Sequence, residues 1–400
     1  MNITRYHLPD INESVDRYAI LEALSKQPFA EIEESFEMAS AGFTLYDDML
    51  RTDFTMEEIF PAGHDFLRFG LRIDQRKING KVFKKRFEER LRKDREDWEK
   101  ANAVQKNLFD SQDKPQKYYI SKDRKSEIRD QVKLEIAART LPEPELANVI
   151  INMKTGEALL FSTKAVFRKS APVMFGYFTS ERAIEVGPPE LLQSIGYELP
   201  EAPVGSAFLT WLWSYVERRE DAFLELHGDD VAVSFVGSVK LEQSEDGKTE
   251  SLTAAGPLDK IEEIEIALDK GRQIVQATLE FKLPDGEKYL LTVKSGDFTY
   301  ALQTPKLDRS DKEDPNGLFF EGLYLVKNGL SYFDELFARY LAQAEIRYVG
   351  GKLTSWHDPL LISLREFRDS WKGSGVEKVT MSYGGKEAVL YERESAGAEA

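Results

Sequence analysis

From Asp65 to Ser162 the spacing of apolar residues changes period twice, and few architectures accommodate that. The run Asp65-Phe-Leu-Arg-Phe-Gly-Leu-Arg-Ile-Asp74 alternates apolar and polar residues, the pattern of a half-buried strand. From Lys81 to Lys100 the pattern becomes helical. At about 100° per residue, Phe83, Phe87, Leu91 and Trp98 fall within about 80° of one another, with Lys81, Lys85, Arg86, Arg92, Lys93 and Lys100 on the far side. A second helix, Lys122 to Arg139, repeats the plan with Ile128, Val132 and Ile136 on its stripe, and Pro142 and Pro144 end it. Between them, Ala101 to Tyr119 is polar, contains Pro115 and reads as a loop. The strand pattern then returns as a β-hairpin, Asn148 to Met153, the turn Lys154-Thr-Gly-Glu157, and Ala158 to Ser162. Two basic helices joined by a loop, set between strand signals, predict an αα-hairpin arm.

Charge singles out the same arm. Residues 72–139 hold 21 Lys/Arg against 13 Asp/Glu, a net of +8; the rest of the chain holds 33 against 57, a net of −24, and together they give the overall −16. Within Arg72 to Lys93, ten cations face three acids, Asp74, Glu88 and Glu89. Cations so crowded repel one another, and their common field attracts a polyanion. The first 60 residues are the opposite, with 4 Lys/Arg and 13 Asp/Glu. Basic amphipathic helices are also commonly solvated faces laced with local pairs, so charge alone leaves both readings open.

Elsewhere the chain reads as folded throughout. Short strands are expected in the first 60 residues around an amphipathic helix, Tyr18 to Leu24 and then Phe29 to Met38. A helix is expected from about Thr163 to Thr179, a boundary in the proline-containing stretch Gly187 to Gly205, and an aromatic helix at Phe208 to Trp213. Strands are expected at Val231 to Glu242, Ile274 to Lys282, Tyr289 to Lys294 and Phe298 to Gln303. Asp308 to Asn316 reads as an acidic loop, Leu318 to Leu341 as a long helix, and the end from about Ser395 as frayed. The expected division is an acidic α/β part of the core (1–71), the basic arm with its hairpin (72–205), a sheet-rich second part (206–347) and a C-terminal extension (348–400).

Zero cysteines exclude disulfides, thiolate zinc sites and cysteine nucleophiles. With no signal-peptide pattern and no apolar run near membrane-spanning length, a cytoplasmic protein without membrane contact is expected. Catalytic motifs fare poorly. A phosphate loop at Gly247-Lys248-Thr249 needs a glycine where Glu242 stands, so a hairpin turn is expected there. Pro284-Asp285 lacks the downstream acid and lysine of a metal nuclease, since Glu280-Phe281-Lys282 precedes it, and it too reads as a turn. His7, His64, His227 and His357 are scattered, and Asp308, Asp311 and Asp314 lack the glycine and acidic pattern of a calcium loop. No GxSxG, Gly-rich dinucleotide turn or HExxH is present. The expectation is a non-enzyme without cofactor or metal.

The basic region and the segments C-terminal to it also carry a family likeness. Leu71-Arg-Ile-Asp-Gln-Arg-Lys-Ile78, Val82-Phe-Lys-Lys85, Glu88-Glu-Arg90, Lys125-Ser-Glu-Ile-Arg-Asp-Gln-Val132, Ala138-Arg139, the hairpin around Gly156, Phe161-Ser-Thr163, Leu209-Thr-Trp211 and Ala267-Leu-Asp-Lys-Gly-Arg272 occur in that order. In sequence and order they resemble the recombination-associated protein RdgC family, over about Arg17 to Leu341. The resemblance implies an α+β protein, with mixed antiparallel sheets and a basic helical arm, that forms a ring-shaped homodimer. Its positively lined hole would encircle double-stranded DNA without sequence preference, and the bound protein, nucleoid-associated, would limit a recombinase's access to DNA. Carried over by position, Arg76, Lys77, Lys81, Lys84 and Lys85 are the first candidates for the hole, followed by Arg92, Lys93, Lys122, Arg124 and Lys125.

The chain departs from the family pattern in three places: the insertion Ala101 to Ile120, the tail after about Val349, and Leu141, where some members place an aromatic used in a subunit contact. The competing reading of the same residues is a protein-interaction scaffold whose basic arm binds an acidic partner.

Overall fold

The computed structural model describes residues 1–12, 14–33, 35, 37–61, 65–108, 118–187, 204–217, 223–245, 248–256, 262–307, 314–343, 347–349, 352–355, 378–383 and 386–392. Among these the protein is α+β, with eight helices and a 12-stranded antiparallel sheet ordered β2-β3-β4-β5-β1-β12-β11-β10-β8-β7, plus β6 on β1 and β9 on β8. The strands are β1 (Asn2–His7), β2 (Ala39–Thr44), β3 (Phe66–Gln75), β4 (Glu143–Asn152), β5 (Glu157–Leu160), β6 (Ile184–Glu185), β7 (Leu224–Leu226), β8 (Asp229–Glu245), β9 (Lys248–Ala255), β10 (Gln273–Lys282), β11 (Lys288–Lys294) and β12 (Tyr300–Gln303). Two further hairpins, β13 (Arg347–Val349) with β14 (Lys352–Ser355) and β15 (Lys378–Tyr383) with β16 (Lys386–Glu392), are separate from this sheet. The helices are α1 (Arg17–Lys26), α2 (Met56–Ile59), α3 (Gly80–Leu108), α4 (Lys122–Ala137), α5 (Ala165–Phe175), α6 (Val204–Glu217), α7 (Glu262–Asp269) and α8 (Pro315–Gln343). Among the described residues no helix is long and apolar enough to cross a membrane.

β1 joins the two halves of the sheet. Thr4 to His7 pair with β5, whereas Asn2 and Ile3 pair with Ala301 and Tyr300 of β12. Strand alternation then divides the core. Tyr6, Val149, Ile151, Ala158 and Leu160 face one cluster with Phe43, Phe69, Phe167 and Phe175, while Ile3, Ile150 and Leu159 join the other with Phe208, Phe281, Leu291 and Phe333. α8, about 43 Å long at 29 residues, runs across both halves. At its start Phe320 lies 6.1 Å from Phe66 of β3; further along, Asp334 binds Arg5 of β1 and Tyr332 donates to Asp229 of β8.

Helix starts are set by their capping residues. Asp16 accepts from the Tyr18 backbone N–H at 2.9 Å, Thr55 and Glu58 form a reciprocal cap on α2, and Ser121 accepts from Arg124 N–H at 3.1 Å. Both suspect motifs lie at strand ends. β8 and β9 pair down to Glu245 and Lys248, and at Pro284-Asp285 the chain turns from β10 to β11 with Gly286 N–H donating to Leu283.

Two expectations are corrected. Phe29 to Met38 contains no helix among the described residues: Pro28 and Phe29 run along β2, with Phe29 N–H bonded to the Phe43 carbonyl, and the Phe29 side chain is buried there. Residues 101–108 are not loop, because α3 continues to Leu108. Ala101, Ala103, Gln105 and Lys106 are good helix formers without a breaker among them, and polarity alone was a poor guide. The boundary residues 188–203 and the acidic loop residues 308–313 lie outside the described residues.

Candidate nucleic-acid interface

The arm leaves the sheet at the end of β3 and returns at the start of β4, strands paired side by side from Phe66↔Asn152 to Gln75↔Glu143. An insertion between two adjacent antiparallel strands has its ends fixed close together, which suits an antiparallel helical pair. Asn79 starts α3 by accepting from Lys81 N–H at 2.9 Å. The helices then meet along Phe87 and Arg129, Arg90 and Glu135, Asp94 and Arg124, and Trp98 against Tyr118. Their shared apolar seam is thin: Ile128 and Val132 are buried on α4, while no described residue of α3 is fully buried. Phe83 and Phe87 stack at 5.7 Å with their planes 9° apart, and the Arg129 guanidinium lies 5.9 Å over the Phe87 ring.

The ten candidate cations separate into three kinds. Arg76 is a correction: it is only 5% exposed, and six backbone carbonyls occupy its guanidinium. Nε donates to Glu37, Nη1 to Ala137 and Thr140, and Nη2 to Ile32, Glu33 and Ser35. It ties the C-terminal end of α4 and the 32–37 loop to the end of β3, leaving no face for a phosphate. Arg72, part of the same charge count, is also internal, forked onto Asp74 at 2.9 and 2.8 Å and stacked 4.0 Å over Phe29.

Lys77 and Arg124 are at the surface but engaged. Lys77 Nζ lies 2.7 Å from Glu143 and 3.3 Å from Glu145, whose hydrogen bonds hold its pKa above the ordinary lysine range. Arg124 bridges Glu127 and Asp94 at 3.0 and 2.9 Å, and these hydrogen bonds likewise raise it. Glu135, bonded to Arg90, is held below the usual carboxylate range.

Lys81, Lys84, Lys85, Arg92, Lys93, Lys122 and Lys125 are exposed on the arm and form no ion pair among the described residues. A helical row along α4, of which the sequence-derived set missed Arg129 and Lys133, comprises Lys122, Lys125, Arg129 and Lys133 at intervals of three, four and four residues. That spacing was the available signal; counting local charge density obscured it, because Asp123, Glu127 and Asp130 interleave in the chain while lying on another face. Among the described residues no group of His, Asp and Glu could hold a metal ion. The arm is thus equipped to present positive charge to a large anion through flexible lysines and one aromatic-backed arginine. No family model matches the chain, and no curated protein matches it.

Proposed function

We propose that this protein binds double-stranded DNA without sequence preference, through the αα-hairpin arm, and thereby limits a recombinase's access to the duplex. The observation that carries this reading is the set of exposed arm cations left without carboxylate partners among the described residues, on a chain of net charge −16. Each such cation is already solvated and gains most from displacing counterions off a phosphate. The acidic remainder repels DNA, which directs binding to the arm. Contacts of this kind position a protein on the backbone and read no bases. The RdgC-like order of motifs supports the next step: two copies, each contributing an arm, form a ring around the duplex.

A salt titration with random-sequence duplex tests the binding, and sedimentation tests the homodimer. The expected result is tight binding at about 50 mM salt that falls steeply as salt rises, by about 0.9 in the log–log slope per phosphate contact. Reversing Lys81, Lys84 and Lys85 to Glu should flatten the slope. An absence of duplex binding at low salt, or a slope indifferent to the three reversals, overturns the proposal.

A further inference from the structure

The two sides of α4 are chemically unlike. On α4, at about 100° per residue, Lys122, Lys125, Arg129 and Lys133 fall within about 80°, to one side of the buried Ile128–Val132 ridge. Arg124, Gln131 and Glu135 fall on the other side, within about 40°, and there the cross-helix pairs Arg124–Asp94 and Arg90–Glu135 neutralise each other. Asp123, Glu127 and Asp130 point away from α3 altogether. Because the helices are antiparallel, turning in the same angular sense from their facing stripes leads to the same side of the hairpin on both. That sense leads on α4 to Arg129, which reaches over Phe87, and on α3 to Lys84 and then Lys81.

We infer that duplex DNA seats against this one side of the arm, across Lys81 and Lys84 of α3 and Lys122, Lys125, Arg129 and Lys133 of α4. The inference rests on the DNA-binding reading above and adds to it a face and two residues, Arg129 and Lys133. From Lys122 to Lys133 the row is about 16 Å long, and one DNA strand carries about five phosphates over that length of axis. Four cations against about five phosphates is a close match in charge density. Arg129 is the fixed point of the row. Its guanidinium lies over the Phe87 ring, a stacking that favours this rotamer while leaving its N–H edge open to a phosphate. Among the described residues Lys133 has only the exposed partner Asp130 at 3.4 Å, an i,i+3 pair of the kind worth about 1 kcal/mol or less, so a phosphate can displace it.

Three double variants of the full chain, titrated with random duplex over a range of salt, test the assignment. Lys125→Gln/Arg129→Gln should flatten the log–log slope by about 1.8, and so should Lys122→Gln/Lys133→Gln, which removes none of the arm's cross-helix contacts. Arg86→Gln/Lys100→Gln, equal in charge removed but off this side, should leave the slope where it was. Circular dichroism of each variant confirms that the helices persist, and Arg129→Lys should restore the slope while weakening affinity severalfold. An equal loss in all three doubles would mean that only total charge matters, and a loss confined to the Arg86/Lys100 pair would put DNA on the other side; either overturns the face while DNA binding stands. Failure of the unmodified protein to bind duplex would instead remove the reading on which the face depends.

Discussion

Arg76 Nη1 donates to the carbonyl oxygen of Ala137 at 3.0 Å, joining the residue just past β3 to the last turn of α4. The arm's angle to the sheet is therefore set by a buried cation at a helix C-terminus, where exposed carbonyls welcome positive charge. Arg76→Lys offers at most three donors to six carbonyls, and each buried carbonyl left without a partner costs about 1–3 kcal/mol. A loss of about 3 kcal/mol or more in urea unfolding is expected, while the salt slope of DNA binding by the folded protein stays unchanged. A lower slope with unaltered stability would return Arg76 to the DNA-binding set.

The two halves of the sheet are cross-linked electrostatically at Arg5. Its guanidinium binds Asp334 of α8 at 2.7 and 2.8 Å and Glu157 of β5 at 2.8 Å. Burial disfavours the charge, but Asp334 and Glu157 outweigh it and hold the pKa well above the ordinary arginine value. Asp334→Ala leaves the cation buried with one partner and should cost about 3 kcal/mol. Because the pair spans both halves, unfolding should also broaden, with the aromatic signals of the two cores no longer coincident.

Gly42 lies under the chain that crosses β2. A Cβ there would sit 2.3 Å from Phe29 Cα and 2.5 Å from Phe29 N, both backbone atoms. Gly42→Ala should therefore destabilise by about 1–3 kcal/mol, whereas Gly80→Ala, where a Cβ meets nothing within 4 Å, should be neutral or stabilising by about 0.5 kcal/mol. Thermal unfolding of the two variants side by side makes the comparison.

Alkaline stability should depend on Tyr46. Burial, and then the neighbouring charge of Asp47, push its phenol up to about 12 against the opposing Arg68. A group whose folded pKa is raised stabilises fully below its unfolded value of about 10, and that contribution is lost as pH rises through the folded value. The denaturation midpoint of the wild-type protein should accordingly fall relative to that of Tyr46→Phe between pH 10 and about 12. Parallel midpoints across that interval would contradict the assignment.

If two copies close around duplex, topology should govern release. A closed ring can slide off a linear fragment but must open to leave a covalently closed circle. At one salt concentration, dissociation from a circle should be markedly slower than from the same sequence linearised. Equal rates would rule out a closed ring while leaving phosphate binding intact.

Much of the fold was legible because local periodicity reported it. The alternation at Asp65 to Asp74, the two arm helices, the strands from Val231 onward and the helix at Leu318 all fall within observed elements or within a few residues of them. Phe29 and Ile32 misled because their spacing of three imitates a helix, whereas Phe29 is fixed by a tertiary crossing over β2. The site was legible as charge and illegible as geometry. Sequence places Arg76 and Lys77 beside each other in one basic run, but β3 carries one under the end of α4 and leaves the other at the surface between two glutamates. The α4 row demanded the reverse treatment, separating by face what the chain interleaves. Nothing local announces that β1 will be shared by two half-sheets, because its partners lie far along the chain.

That distance has a consequence for synthesis. Ile3 pairs with Tyr300 and Arg5 with Leu159, so β1 is made well before the strands that complete it. At about 5–20 residues per second, about 15–60 s separate the emergence of β1 from that of β12. During that interval the nascent chain carries a strand lacking its β12 neighbour. Its yield in a cell will depend on how well that edge is shielded until the far end of the sheet arrives.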